Sequence, residues 1–258
     1  MWKRIVVLSA LSFLQSCLLG PRSGAVAVSQ RPFFSSDIYT VEEGSAQIEA
    51  GATVDPKDRI DTPALGTYGT SERSQLMLGW SPWVHVDRPG NDGDGPGDML
   101  VGFKHRFFDP TETLPGAALQ LFTKLPSGST NEGISSGEID FFANGIVTQK
   151  FDDWSLSGNY ELGVLGEAND TGTDLQHAIA IAASRPISEQ LSAFGELLGI
   201  LQPEQNQERA QLGLGIAWSP RKSTVLDAGL SFGLDHDAPD FQLFFGITVN
   251  FGAPKKER

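Results

Sequence analysis

Segments in which apolar and polar residues alternate recur along the chain from Ser45 to Phe251, and they constrain the fold more than any other feature. One of them opposes Ala210, Leu212, Leu214, Ile216 and Trp218 to Gln211, Gly213, Gly215, Ala217 and Ser219. Because successive side chains of a β-strand point to opposite faces, one face of this strand suits lipid and the other suits a polar or tightly packed interior. The pattern is typical of a membrane-spanning β-barrel.

Twelve such segments predict an all-β fold, an antiparallel up-and-down transmembrane β-barrel. Most have the roughly nine to eleven residues, or slightly more, that a tilted spanning strand requires. The second is the weakest because it contains Pro63, and ten strands is the alternative even count. The predicted strands are Ser45 to Val54, Arg59 to Tyr68, Glu72 to Ser81, Asp98 to Phe108, Gly116 to Leu125, Ser136 to Gln149, Trp154 to Gly166, Asp174 to Arg185, Gln190 to Leu201, Arg209 to Ser219, Ser223 to Leu234 and Phe241 to Phe251.

The connections between these segments alternate in length. The longer ones are Val86 to Gly97, Pro126 to Ser135, Glu167 to Thr173, Gln202 to Glu208 and Asp235 to Asp240. The shorter ones are Gly69 to Ser71, Lys150 to Asp153, Pro186 to Glu189 and Pro220 to Lys222, with Asp109 to Pro115 as a longer exception. Long outer loops and short periplasmic turns are the arrangement of outer-membrane barrels, so we expect both termini in the periplasm.

The N-terminus has the form of an export signal, a short basic region followed by the apolar stretch Ile5 to Gly20. Ala25 to Ala27 offers a cleavage site, and the alternative is lipidation at Cys17, the only cysteine. We therefore predict an outer-membrane location. The predicted parts are a signal peptide over 1–27, an N-terminal periplasmic segment over 28–44, the barrel over 45–251 and a C-terminal tail over 252–258. The sequence does not decide whether residues 28–44 enter the lumen.

Composition excludes several classes of protein. The net charge of -13 argues against nucleic acid as a partner. The mean hydropathy of -0.16 excludes a helical membrane bundle but suits a barrel, in which half of every strand is hidden from lipid. Residues Asn91 to Asp98 resemble a calcium loop, but Gly102 stands where a bidentate Glu is needed, so we predict a plain loop and neither metal nor cofactor.

Charged residues within the predicted strands point to the barrel interior, because charges are costly toward lipid. They indicate either a polar conduit whose selectivity they tune or ion pairs that fill a narrow interior. The lumen-facing candidates are Lys104, Arg106, Lys124, Glu138, Asp140, Glu161, Glu196 and Asp227.

Enzyme activity is the rival class, since lipid hydrolysis needs a nucleophile, a base and an orienting partner within reach. The four histidines are His85, His105, His177 and His236, and none is followed two residues later by serine, as in the phospholipase barrels. Alternation places His105 and His177 on lipid-facing surfaces. We predict that the protein is not an enzyme.

Several phrases resemble the outer-membrane barrel family named for the MetA pathway of phenol degradation. They are Tyr68-Gly69 with the strand to Trp80, Gly97-Asp98 leading into Gly102-Phe103-Lys104, Lys124 to Gly128, Asn159 to Gly163, and Gly195-Glu196-Leu197. The resemblance implies an outer-membrane location and a transport role, and it does not identify phenol as the substrate.

The last strand resembles the signal read by the barrel assembly machinery, with Gly246, Val249 and Phe251 at the glycine and hydrophobic positions. It departs from that signal at Phe244, where a polar residue is usual, and in continuing past Phe251. We therefore expect outer-membrane lipid, the assembly machinery and an unidentified small molecule as partners.

The function expected from these observations is a channel or passive transporter for small molecules, hydrophobic or aromatic ones included. The alternatives are a closed structural or adhesive barrel and, further off, a soluble sandwich or lipocalin-like carrier.

Overall fold

The computed structural model describes residues 26–29, 34–88, 91–167 and 172–252. Most of the predicted signal peptide, Cys17 and all but the first residue of the predicted tail lie outside these ranges. The strands are β1 Ala46–Asp55, β2 Arg59–Asp61, β3 Ala64–Ser71, β4 Ser74–Trp80, β5 Val84–Arg88, β6 Asn91–Gly95, β7 Met99–Phe108, β8 Gly116–Leu125, β9 Asp140–Phe151, β10 Trp154–Gly166, β11 Thr173–Pro186, β12 Leu191–Gln202, β13 Gln207–Arg221, β14 Thr224–Gly233 and β15 Phe241–Asn250. The described residues contain no helix long and apolar enough to cross a membrane.

Twelve strands form a closed barrel, which confirms the predicted fold and strand count. They follow one another in sequence order from β15 back to β7 and continue through β4, β3 and β1. Antiparallel pairing of β1 with β15, from Gln47 with Asn250 to Val54 with Leu243, joins the two ends. Because the sheet closes on itself, the backbone hydrogen bonds of the barrel strands are satisfied between neighbours, as a lipid environment demands.

The second predicted strand is divided at Thr62 and Pro63. Proline has no backbone N–H to donate to a sheet, so it interrupts a continuous ladder. The residues before it form β2, which pairs with the end of β1, and those after it form β3. A hairpin of β5 and β6 pairs with β2 and forms a branch beyond the barrel, so the predicted loop Val86 to Gly97 is largely strand.

The two ends of the barrel differ as predicted. At one end, which we call the turn end, the links are Glu72–Arg73, Asp152–Asp153, Lys222–Ser223 and Ile187–Gln190, together with the longer 109–115. At the loop end the links are 56–63, 81–98, 126–139, 167–172, 203–206 and 234–240. The turn end is the one for which the sequence predicts a periplasmic location.

Several predicted strand boundaries differ from the structure, and two of the differences change a connection at the loop end. The sixth predicted strand begins at Asp140 rather than Ser136. β13 begins at Gln207 rather than Arg209, which leaves only four residues, 203–206, in the link before it.

An ion pair also lies at the loop end. A hydrogen bond to the Asp240 carboxylate raises the pKa of the Lys57 ammonium.

The outer face of the barrel is apolar. Between the strand ends it carries no Asp, Glu, Lys or Arg, and its exposed side chains include Leu214, Ile216 and Ile179. Exposed aromatic residues lie toward both ends, including Trp80 and Phe141 at the loop end and Trp154 and Trp218 at the turn end. Aromatic girdles of this kind suit the two membrane interfaces.

The inner face is polar. One row of directly paired residues crosses five neighbouring strands and contains Gln75, Lys104, Gln120, Asn144 and Glu161. All five side chains are buried. The barrel therefore inverts the usual soluble arrangement, with polar groups inside and apolar groups outside.

Candidate functional site: the barrel lumen

The chain that precedes β1 enters the lumen from the turn end. Ala27 donates a backbone hydrogen bond to the carbonyl of Lys222 (2.8 Å), and Val28 exchanges hydrogen bonds with the Gln47 side chain. Residues Phe34 to Gly44, called here the lumen segment, reach the middle of the barrel, return toward the turn end and lead into β1. The sequence left this placement open, and it is the main feature of the interior.

Two side chains of the wall hold the tip of the lumen segment. Asn159 accepts a hydrogen bond from the Ser36 N–H (3.0 Å) and donates one to the Ser36 carbonyl (2.9 Å). Glu196 accepts bonds from the N–H groups of Phe34 and Ser35 at 3.3 and 2.5 Å. Asn159 thus pairs with the segment as a neighbouring peptide group would, and Glu196 fixes where Phe34 lies.

Two further wall side chains hold the part of the segment that returns to the turn end. Thr148 Oγ1 accepts a hydrogen bond from the Ile38 N–H (3.2 Å), and Gln75 Oε1 accepts one from the Val41 N–H (2.8 Å). The wall therefore satisfies backbone donors along most of the segment.

Positive charges hold the centre of the segment. Lys104 is fully buried, and its ammonium donates to Ser36 Oγ (2.9 Å) and lies 3.8 Å from Asp37 Oδ1. The ring of Tyr39 faces Lys150 Nζ at 4.9 Å and the Arg106 guanidinium at 5.9 Å. A buried lysine requires such partners, because an isolated charge is costly to remove from water.

Apolar packing and two glycines complete the fit. Ile38 is fully buried against Ala118 and Ile146. A Cβ atom at Gly116 would lie 2.3 Å from Ile38 Cδ1, and one at Gly69 would lie 2.1 Å from the Glu42 carbonyl oxygen. Only glycine allows this approach, so the wall has space where the lumen segment needs it.

The three predicted lumen cations all have acidic partners. Besides Lys104, Lys124 Nζ lies 2.6 Å from Asp140 and 3.6 Å from Asp98. Arg106 pairs with Asp109 at 3.2 Å near the turn end.

The five predicted acids differ in their surroundings. Glu196 and Asp140 are buried with the partners described above, and Asp227 is buried as well. Glu161 is also buried, and no hydrogen bond or ion pair of its carboxylate occurs within the described ranges. Glu138 is half-exposed and belongs to the loop before β9, because that strand starts later than predicted.

Two cavities flank the tip of the lumen segment. One, of about 140 Å³, lies between Phe34 and the wall formed by β12 to β15. The other, of about 230 Å³, lies toward the turn end and is lined by serines and alanines, among them Ser157 and Ala182. The interior is thus narrowed by the segment and is not filled solid.

Three of the four histidines, His85, His105 and His177, pair with polar side chains. His105 Nδ1 lies 2.8 Å from Ser74 Oγ on the outer face, a spatial pair that sequence spacing did not reveal. Within the described chain nothing orients the ring through Nε2, as a catalytic base requires. His177 similarly contacts the Tyr160 hydroxyl at 2.9 Å. Both pairs satisfy polar atoms beside lipid.

The first five residues of the stretch that resembled a calcium loop form β6, and Asp98 lies just before β7. Asp94 pairs with His85 (3.0 Å), while Asp98 accepts hydrogen bonds from Ser135 and Gly128. No group of three or more His, Cys, Asp or Glu side chains in the described ranges is placed to hold a metal ion.

The predicted assembly residues lie at the barrel seam. Gly246 and Val249 belong to β15, which pairs with both β14 and β1. Val249 is buried and Phe251, just after the strand, is exposed.

A closed barrel of twelve antiparallel strands with an apolar exterior and a polar lumen defines the class, an outer-membrane β-barrel with a porin-like fold. A family model described as "Putative MetA-pathway of phenol degradation" matches residues 29–251, and the chain belongs to that family. The resemblance found in the sequence is confirmed.

Solved barrels share the architecture at low sequence identity. The COG4313 outer membrane channel from Pseudomonas putida F1 is 11% identical, with a TM-score of 0.66 over 85% of this chain and 100% of that one. The NanC porin is 8% identical with a TM-score of 0.56, and the KdgM porin 9% identical with the same score, each over 79% of this chain and 98% of its own. These similarities concern the fold. No curated protein matches the chain.

Proposed function

We propose that this protein is a passive outer-membrane channel for small molecules and that the lumen segment sets its narrowest point. The observation that carries the proposal is the position of Phe34 to Val41 inside the barrel, with a cavity on either side of the tip. The apolar outer face contacts membrane lipid, and the strand ending at Asn250 is recognised by the assembly machinery.

The contacts of the segment favour a narrowed conduit over a barrel closed for strength alone. They are mainly hydrogen bonds from backbone N–H groups of the segment to wall side chains such as Gln75 and Thr148, together with the ion pair of Lys104 and Asp37. Each of these hydrogen bonds contributes about 0.5 to 1.5 kcal/mol to holding the segment, whereas continuous ladders of backbone hydrogen bonds hold the strands of the wall together. The segment is therefore held less firmly than the strands. Because the described chain at Val26 to Ser29 lies at the turn end, the segment has a route out of the lumen that breaks no strand pairing.

The experiment measures conductance in planar bilayers. Replacing Phe34 to Val41 by a Gly/Ser chain of equal length leaves β1 and the barrel intact. It keeps the backbone N–H groups but removes the packing of Ile38, the ion pair of Asp37 and the ring of Tyr39. We expect larger conductance steps than for the wild-type protein, with heat-modifiable gel migration showing a folded barrel. A matched control replaces the four residues of the loop-end link 203–206 by a Gly/Ser chain of the same length. It should conduct like the wild type.

The closed structural barrel is the second candidate, because the lumen is partly occupied. It predicts no conductance steps from the wild-type protein or from the 203–206 control, with steps only after the segment is replaced. Equal steps from all three would instead show that the segment does not limit conduction.

A further inference from the structure

The smaller of the two cavities has the features of a ligand subsite. We propose that it binds a single-ring molecule that carries a hydrogen-bonding group and no negative charge. This inference rests on the proposed channel function and specifies the class of molecule that binds beside the lumen segment.

The cavity is built by one row of the barrel wall. Glu196, Gly213, Ser231 and Gln242 are direct partners across β12, β13, β14 and β15. Directly opposed residues have Cβ atoms roughly 4.5 to 5.5 Å apart, so these side chains converge on one space. Gly213 contributes no side chain, and this creates the room between its neighbours.

The cavity is the size of one ring. Its volume of about 140 Å³ is close to the ~150 Å³ of an engineered apolar cavity that binds benzene in another protein. Phe34, Leu198 and Phe244 supply apolar surface around it. Phe34 is held at the cavity because the Glu196 carboxylate accepts hydrogen bonds from the N–H groups of Phe34 and Ser35.

Three side chains are available to hydrogen-bond a ligand. Ser231 Oγ is buried and has no partner. Gln211 and Gln242 also line the cavity, and their side-chain amides make no hydrogen bond in the part of the chain that the structure describes. A buried polar group without a partner is costly, so a ligand hydroxyl that pairs with Ser231 gains affinity, and the two half-buried glutamines offer further partners.

The charge around the cavity selects against anions. Glu196 is its only charged lining residue, and the lumen cations Lys104, Arg106 and Lys124 do not line it. A ligand carboxylate would therefore meet a carboxylate with no cation to compensate.

The test compares binding of four probes to the full-length protein in lipid vesicles by saturation-transfer NMR, with protein-free vesicles as the reference. We expect benzyl alcohol to bind. Toluene, which lacks the hydroxyl, should bind roughly two- to tenfold more weakly than benzyl alcohol. Benzoate should bind more weakly than benzyl alcohol by roughly tenfold or more. The two-ring 2-naphthalenemethanol should not bind.

Variants assign the binding to this cavity. Gly213→Leu fills it and should abolish benzyl alcohol binding. Replacing the three polar side chains together, with Gln211→Leu, Ser231→Ala and Gln242→Leu, should reduce binding to the level of toluene. Ala182→Leu makes the same kind of change in the larger cavity and should leave binding unchanged. Gel migration identifies any variant that does not fold.

Benzoate binding as tightly as benzyl alcohol would overturn the proposal, and so would binding that Gly213→Leu leaves intact. Liposome swelling separates this result from the channel function. Swelling with a small sugar but no probe binding removes the subsite and leaves the channel, whereas binding without swelling removes the channel and leaves the subsite.

Discussion

Ile38→Ala should loosen the lumen segment while leaving the barrel intact. The Ile38 side chain is fully buried against Ala118 and Ile146, and its Cδ1 occupies the space opened by Gly116. None of the β-strand pairing depends on it, because it lies outside every strand. The change therefore acts on the balance between a segment held in the wall and a segment released from it.

The magnitude follows from the atoms removed. Truncation deletes three buried carbon atoms and leaves a cavity, and Ile→Ala changes in packed sites cost about 2 to 5 kcal/mol. At the lower limit this shifts the ratio of held to released segment by roughly thirtyfold. Single-channel recording should show this as more frequent visits to the larger conductance.

The matched control is Ile179→Ala, which removes the same atoms from the exposed outer face of β11. It should conduct like the wild type. If Ile38→Ala conducts like the wild type as well, in a folded barrel, then packing at Ile38 does not hold the segment and the reasoning is wrong.

Three other perturbations probe the same interior. Gly69→Val places a side chain where the Glu42 carbonyl lies, so it should release the segment and raise conductance without unfolding the barrel, as judged by gel migration. A double-mutant cycle of Asp37→Asn and Lys104→Gln, read from the same single-channel recordings, should give a coupling energy of about 1 to 3 kcal/mol in the free energy of segment release. Additive effects of the two changes would show that the pair does not interact. Glu161→Gln removes a buried lumen carboxylate, so the reversal potential in a KCl gradient should move toward anion selectivity, and an unchanged potential would place this residue outside the ion path.

The barrel was predictable because lipid imposes a strict period of two on every spanning strand. That period survives in β13 and β14 with hardly an exception. It also misled just before β9, where Ser136 and Glu138 alternate with Gly137 and Ile139 in what is a loop. Tight turns such as Asp152–Asp153 were found from composition, because few residues suit so short a connection.

The lumen segment was not predictable, because it has no periodicity and its partners are distant in sequence. Ser36 and Asn159, for example, are 123 residues apart. Asn159 and Gln75 carried a weak signal, as uncharged polar residues on predicted inner faces. Gly69 and Gly116 looked like ordinary turn and strand-end glycines, and their close approach to the segment is visible only in three dimensions.

The branch formed by β5 and β6 leaves β6 as an edge strand, although the barrel itself has none. Its Asp92 and Asp94 side chains are exposed, while Gly93 and Gly95 face Glu132 and Ser129 of a neighbouring loop. A second chain that added a strand here would bring its own aspartates against these carboxylates, and like charges oppose such pairing. The aspartates of the stretch that resembled a calcium loop therefore oppose edge-to-edge pairing of two copies of the protein through β6.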